Sequence, residues 1–233
     1  MLIDEGPERL EAARALDGRL PFWDRKVDVV MATHADVDHL LGLVEVVRRR
    51  PVGTAIGGQD DSALGLRWDR ALEKAGLELL EVERGQIISL DEGVRLEVLH
   101  PSPEWLADGD KSRNNGSTVV RVTYGEVSFL LASDVEAEAE RVMIEAGVGL
   151  DSTVLKVAHH GSKTSTTVGF LGEVMPQVAV VQVGEGNQFG HPHAEVMERL
   201  NGLVGPGRVY TTAESGTLEF ITDGRRLWVR GGK

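Results

Sequence analysis

Four separate times in this chain, a short apolar run ends directly in histidine or aspartate. Residues 27–32 (Val-Asp-Val-Val-Met-Ala) run into Thr33-His34-Ala35-Asp36-Val37-Asp38-His39, and residues 127–132 run into Ser133-Asp134. Residues 153–158 lead into His159-His160-Gly161-Ser162, and residues 178–183 into a Gly-rich loop that reaches Gly190-His191-Pro192-His193. Apolar runs this short, bounded by polar turns, read as buried strands. In a layered α/β fold the loops at one edge of a sheet share a crevice, so groups carried on successive strand ends can meet there. Six of the seven histidines fall in these motifs, which makes the repeated pattern far more specific than any one of them.

The first motif is the densest. Leu40, Leu41, Leu43, Val44, Val46 and Val47 have the spacing of a helix, so His34, Asp36, Asp38 and His39 occupy a strand-to-helix turn. Imidazole and carboxylate are the ligand types of zinc, manganese and iron. A solvated acidic turn would account for one such residue, but four within six positions point to metal. His100, followed by Pro101, also ends an apolar run but stands outside the ligand motifs and reads as structural. Ser162 lacks the Gly-x-Ser-x-Gly elbow of a serine nucleophile. Phosphate contact or helix capping suits Ser162, Thr164 and Ser165 better, because their hydroxyls and nearby N–H groups favour an anion.

The chain has 233 residues, no cysteine, and a formal charge of −12. That length, without a linker or a shift in composition, reads as one domain over residues 1–233. Disulfides and thiolate ligands are excluded. No apolar run approaches the ~18 residues of a membrane span, so a soluble domain is expected. A strongly acidic balance argues against tight, sequence-independent duplex binding, though metal ions can supply positive charge locally. Lys111, Arg113, Lys156 and Lys163 are the cations near the motifs, each by itself a plausible surface charge.

Along the chain, strands and helices alternate. Helical spacing covers residues 8–16, 62–75 (with Gly76 as stop), 135–146 (ended by Gly147), 170–174 (stopped near Pro176) and 194–200. Strand patterns cover residues 2–3, 54–56, 77–82, 87–90, 94–99, 209–211, 217–221 and 227–230. Turn signals stand at Arg84-Gly85 and at Asp91-Glu92-Gly93. Residues 117–124 and 127–132 flank Gly125-Glu126 as a β-hairpin. The pattern fits two sheets with helices outside.

These residues resemble the metallo-β-lactamase superfamily, whose first motif, His-x-His-x-Asp-His, stands here as His34-x-Asp36-x-Asp38-His39. Within it, the chain is similar to the C-terminal domain of the ComEC competence proteins. The similarity lies in Leu2-Ile3-Asp4-x-Gly6, Asn114-Asn115-x-Ser117, Leu131-x-x-Asp134, Lys156-Val-x-His159-His160-Gly161-Ser162-Lys163 and Gly190-His191-Pro192. The resemblance implies an α/β fold, an αββα sandwich of two sheets with outer helices, here without the strand pair that normally precedes Leu2-Ile3-Asp4. It departs from the superfamily at Asn114-Asn115, where a histidine is usual, and at Asp36.

Carried over residue by residue, the resemblance implies two divalent metal ions. His34 and Asp36 would hold one; Asp38 and His39 would hold the other, with Asp38 also in a catalytic role. Asp134 would bridge them, His159 or His160 would complete the second site, and the loop of His191 and His193 would complete or cap the first and supply the leaving-group proton. Asn115, Ser162 and Lys163 would contact substrate phosphate. Carboxylate at positions 36, 38 and 134 makes a harder site than a His-rich one, which favours manganese, with zinc and magnesium as the other candidates.

The activity so implied is a metal-dependent nuclease acting on DNA, single strands preferred, during natural transformation. Its site would be the outer face of the cytoplasmic membrane, beside the membrane channel of a longer parent protein. Two other readings stand beside it: a hydrolase of small or wall-linked phosphodiesters such as phosphorylcholine esters, and a metal-holding DNA-binding module without turnover.

Overall fold

The computed structural model describes residues 1–7, 11–21, 23–90, 93–107 and 112–232, and the chain divides into two compact units, Met1–Val82 and Glu83–Lys233. Part of the expected helix at residues 8–16, the turn residues Asp91 and Glu92, and Lys111 lie outside the described residues.

The first unit is a parallel β/α array. In chain order it holds β1 (Leu2–Ile3), α1 (Glu11–Arg19), β2 (Val27–Ala32), α2 (Val37–Arg49), β3 (Val52–Gly57), α3 (Ala63–Ala75) and β4 (Leu79–Glu81). The four strands form one sheet in the order β1-β2-β3-β4, every pair parallel. Parallel neighbours need a crossover, and the helices supply it. The apolar stripe foreseen at Leu40, Leu43, Val44 and Val47 is buried with Val30, Ala32, Ala55, Trp68 and Leu72 in one core. The boundaries of α3 follow capping chemistry. Ser62 Oγ accepts the Gly65 N–H at 3.1 Å, and Gly76 ends the helix at φ +70°, a conformation glycine adopts without steric cost.

The second unit is built on a larger mixed sheet. It contains β5 (Ile87–Ser89), β6 (Arg95–His100), α4 (Pro103–Ala107), β7 (Val119–Tyr124), β8 (Val127–Leu131), α5 (Ala137–Glu145) and β9 (Val154–Lys156). After a 3-10 turn at Ala158–Gly161 come α6 (Val168–Val174), β10 (Val178–Val181), α7 (Ala194–Val204), β11 (Val209–Thr211), α8 (Thr212–Ser215), β12 (Leu218–Thr222) and β13 (Leu227–Gly231). The seven-stranded sheet runs β11-β10-β9-β8-β7-β6-β5, and β12 and β13 pair as a separate ribbon. The expected hairpin at Gly125-Glu126 joins β7 to β8 antiparallel, whereas β8, β9, β10 and β11 are all parallel. Phe170, Leu171, Met143, Leu155 and Leu200 are wholly buried in its core. Burial of each such side chain stabilises by about 1.5–3 kcal/mol.

Two main sheets with helices, the α/β class expected, are thus present. Helices α4 and α8 were not expected. Ser102 Oγ accepts the Trp105 N–H at 3.1 Å and Pro103 takes the first turn of α4, a local signal hidden by its brevity. Thr211, not a glycine or serine, caps α8 by accepting the Glu214 N–H at 3.3 Å.

His100 has the structural place foreseen for it. It is 1% exposed, its Nε2 lies 2.7 Å from the Asn115 carbonyl oxygen, and its ring meets Trp105 edge-on at 5.0 Å. Burial pushes its pKa down to about 4, outweighing the raising effect of the Asn115 bond. The unfolded chain therefore takes up a proton near the ordinary value of about 6.5 while the folded one resists until about 4, so stability falls as pH drops through that window. His100 alone should cost roughly 3 kcal/mol between pH 7 and pH 4. Urea unfolding of metal-free protein at both pH values checks this: His100→Gln should flatten the acid loss relative to the parent, and an unchanged pH dependence would refute it.

Candidate metal centre

Every sequence-identified ligand lies at a carboxyl end of a parallel strand. In the first unit, β2 ends at Ala32 and α2 begins at Val37, with Asp36 as its N-cap residue in extended conformation. Asp36 makes no capping bond to the helix, so its carboxylate is not spent on α2. Its Oδ2 lies 3.6 Å from His34 Nε2, and Asp38 Oδ2 lies 3.8 Å from His39 Nε2. The two imidazole rings are 4.1 Å apart, centroid to centroid, and tilted by 49°.

Asp4 sets the tautomers of both rings. Its Oδ1 accepts the Thr33 N–H at 2.9 Å, and its Oδ2 accepts the Thr33 hydroxyl at 2.7 Å and the His39 Nδ1–H at 2.8 Å. Since the Thr33 hydroxyl proton is given to Asp4, its oxygen accepts from His34 Nδ1, 3.0 Å away. Protons on both Nδ1 atoms leave the Nε2 lone pairs as the ligating sites. His34 Nε2 is buried and without a hydrogen-bond partner among the described residues, an arrangement that is costly unless a cation takes the lone pair. Burial alone would raise the Asp4 pKa, but the bond and charge of His39 with the Thr33 bonds bring it below the usual carboxylate value. Asp4 stands 35 positions from His39, so no local pattern revealed its role.

In the second unit the parallel order of β8, β9 and β10 brings three loops to one edge. Asp134 is 4% exposed; its Oδ2 lies 3.6 Å from His160 Nε2 and 4.0 Å from His159 Nε2. His160 Nδ1 donates to the Gln182 carbonyl at 2.7 Å, which again leaves Nε2 with its lone pair. His159 instead turns Nδ1 toward Glu136 Oε1 at 3.5 Å. Its ring centroid is 5.7 Å from that of His191, which is 5.0 Å from that of His193. Burial and the neighbouring imidazoles hold His191 below the usual histidine value, which favours the neutral, ligating form.

Strained backbone aims these groups. Ser133, His159 and His160 adopt φ of +49°, +46° and +54°, a region that non-glycine residues seldom occupy and that clusters at functional sites. Gly161 follows at φ +80°, and a Cβ there would lie 2.6 Å from Pro192 Cβ. Glycine thus lets the His159-His160 turn press against the His191–His193 loop, which is tied by the His193 N–H to the Gly161 carbonyl at 3.0 Å. Asn187 closes that loop, donating from Nδ2 to the His191 carbonyl at 2.6 Å and accepting the His191 N–H at 3.1 Å.

The residues read as phosphate contacts are placed less uniformly. Asn115 is buried and its Oδ1 accepts the Glu136 N–H at 2.9 Å, leaving only Nδ2 as a donor toward an anion. Ser162 is buried, with its Oγ 3.0 Å from Thr164 Oγ1, and Thr164 donates to Glu136 Oε1 at 3.0 Å. The hydroxyl that caps α6 belongs to Thr167, which accepts the Phe170 N–H at 3.2 Å, in place of Ser162, Thr164 or Ser165. Lys163 and Arg113 are exposed, whereas Lys156 Nζ is buried without a hydrogen-bond partner among the described residues. Two further residues escaped the sequence reading. Fully buried Glu140 accepts the N–H groups of Thr166 and Thr167, and Arg199 donates to the carbonyls of Ser165 and Thr166, so α5 and α7 clamp the loop after His160.

The metallo-beta-lactamase superfamily model matches residues 1–184. The ComE operon protein 3 of Bacillus subtilis is 30% identical over 213 residues, 86% of this chain and 26% of that protein. The competence protein ComA of Neisseria gonorrhoeae is 31% identical over 227 residues, 94% of this chain and 29% of that protein. The chain therefore spans between a quarter and a third of the length of these relatives. A solved metal-dependent hydrolase of the β-lactamase superfamily shares the fold at TM-score 0.54 and 12% identity, covering 89% of this chain and 84% of that one.

Asp4→Asn removes the acceptor that presets both Nε2 lone pairs. Outer partners of ligating histidines are worth about 10–100-fold in metal affinity, and Asp4→Asn should lose that much in a competition titration with a metal buffer. An unaltered affinity in a folded variant would contradict the tautomer argument.

Proposed function

Because this chain belongs to the metallo-β-lactamase superfamily and is related to competence proteins over most of its length, we propose that it is a metal-dependent phosphodiester hydrolase, a nuclease domain that degrades DNA during natural transformation. The observation that carries the reading is the matched pair of His/Asp clusters, each with imidazoles preset by a second hydrogen bond so that Nε2 is the ligating atom. In this proposal residues 1–233 act as one hydrolase domain. His34 and Asp36 would hold one ion, Asp38, His39 and His160 the other, and Asp134 would serve both. His160 is preferred to His159 as the ligand because only its Nδ1 is fixed by a backbone carbonyl.

Two divalent ions so held would supply a hydroxide at neutral pH and offset charge on the phosphoryl oxygens. The chain's own groups do the rest. The three carboxylates Asp36, Asp38 and Asp134 favour manganese over a purely imidazole-bound zinc. The leaving alkoxide would take its proton from His193 of the His191–His193 loop, since His191 is held toward its neutral form. Lys163, exposed beside the His159-His160 turn, holds a flanking phosphate. Net charge of −12 limits long-range attraction to DNA, so binding rests on the ions and a few local cations. A single strand bends a phosphate into a recessed site, which a stiff duplex resists. Among the described residues no helix is long and apolar enough to cross a membrane. In the competence setting the domain would meet DNA at the outer face of the cytoplasmic membrane, next to the channel part of the same parent protein.

The test is cleavage of a fluorescent single-stranded oligonucleotide and the matching duplex, with manganese, with zinc and with EDTA. Manganese-dependent cutting, faster on the single strand at matched salt, is expected; metal-loaded protein that binds DNA without cutting it would point to a binding module instead. Lys163→Ala should weaken single-strand binding by about 1–2 kcal/mol and leave metal content alone. Asp36→His should shift activity toward zinc, and an unmoved zinc-to-manganese ratio would remove Asp36 from the ligand set.

A further inference from the structure

A second concentration of charge lies in the first unit, far from the ligand turn and opposite in sign to the chain as a whole. Arg14, Asp17, Arg25, Arg49 and Arg50, with Ala13, line a cavity of about 380 Å³. Four arginines against one carboxylate gather there in a chain whose formal charge is −12. Arg50 forms the floor: its side chain is 6% exposed, pairs with Asp17, and donates to the Arg25 carbonyl at 3.3 Å. Arg49 is held only loosely, with Nε 3.7 Å from Glu45 Oε2. Arg14 and Arg25 are exposed and have no ion pair among the described residues. Asp17 is already committed to Arg50 and Glu45 lies against Arg49, so Arg14 and Arg25 line the cavity without an ion pair among the described residues. Like charges held this close repel unless an anion joins them.

Arginine forks match phosphate oxygens in pairs. Ala13 is the one apolar residue of the lining, and charged side chains make up the rest, so recognition would be of the phosphate itself. The position is also defined. Helix α2 carries Asp38 and His39 in its first turn and Arg48 and Arg49 in its last, and its 13 residues span about 20 Å. The cavity therefore does not reach the phosphate being hydrolysed, and it suits another phosphate of the same polymer. A flat anionic lipid surface fits a concave cavity poorly, and the net charge of the chain opposes its approach.

We propose that this cavity is a second binding site for the phosphodiester backbone of single-stranded nucleic acid, about 20 Å from the metal-ligand turn. The proposal deepens the nuclease reading and rests on it for the identity of the polymer. Because the side chains of Arg14 and Arg25 make no hydrogen bond or ion pair among the described residues, Arg14→Ala/Arg25→Ala should fold as the parent does. The measurement is fluorescence anisotropy of a labelled 20-nucleotide single strand in EDTA across a salt series, run beside manganese-dependent hydrolysis of a small aryl phosphodiester that cannot span both sites. In the double variant the slope of log affinity against log salt should fall by about 1.4, two phosphate contacts on a single strand, with 20-mer affinity at least tenfold lower at low salt. Hydrolysis of the small diester should be unchanged. Parent protein that fails to bind the 20-mer at low salt, or a variant with an unaltered slope, overturns the second site whatever the hydrolysis result. Loss of binding to vesicles rich in phosphatidylglycerol, with oligonucleotide binding intact, overturns it in favour of a membrane contact. Absence of small-diester hydrolysis with the slope change present counts against the nuclease reading alone.

Discussion

Parallel strand pairing is the constraint from which the rest of this molecule follows. Neighbouring parallel strands must end at the same edge, so whatever residue follows the last apolar position of each is delivered to a common line. In the second unit that line carries Asp134 after β8, the His159-His160 turn after β9 and the loop of His191 and His193 after β10. In the first unit the turn after β2 carries His34 to His39, with Asp4 just past the end of β1, the parallel neighbour of β2. The chemistry is thereby concentrated on loops, while the strands and helices supply the rigid support that loops by themselves lack.

Delivery to an edge is not yet a site, and the second requirement is orientation. Asp4 and Thr33 fix two imidazoles in the first unit, and the Gln182 carbonyl fixes one in the second, each by occupying Nδ1. The backbone contributes as well. Left-handed conformations at Ser133, His159 and His160 persist only because surrounding bonds hold them, among them the His159 N–H to the Ser133 carbonyl at 2.9 Å. Glu140 and Arg199 extend this support outward by clamping the segment after the turn. Such a cluster, rich in carboxylate and with the buried His34 Nε2 lacking a hydrogen-bond partner among the described residues, would be stabilised by a bound cation.

What could be read from the chain alone divides along the range of the interactions involved. Strands such as Val27–Ala32 and caps such as Ser62 and Gly76 depend on near neighbours, and composition and spacing reveal them. The His and Asp residues at strand ends were visible for the same reason. Asp4 was visible only as part of a family motif, since its partners Thr33 and His39 are 29 and 35 positions away. Glu140 looked like one more charge on an acidic helix, and only the fold shows it wholly buried on backbone donors 26 and 27 positions distant. Ser162 shows how a residue type leaves its partner open. Its hydroxyl type suggested an anion contact or a cap; Thr167 makes the cap of α6, and the Ser162 hydroxyl lies against that of Thr164.

The central proposal is that His34, Asp36, Asp38, His39, Asp134 and His160 would hold two divalent ions, with Asp134 serving both. Elemental analysis of metal per chain, after loading with manganese and exhaustive desalting, tests it most directly in the parent and in Asp134→Ala. The account predicts close to two ions per chain in the parent and the loss of most of both in the variant, because a bridging carboxylate serves each ion. Full metal content in a folded Asp134→Ala protein would contradict it.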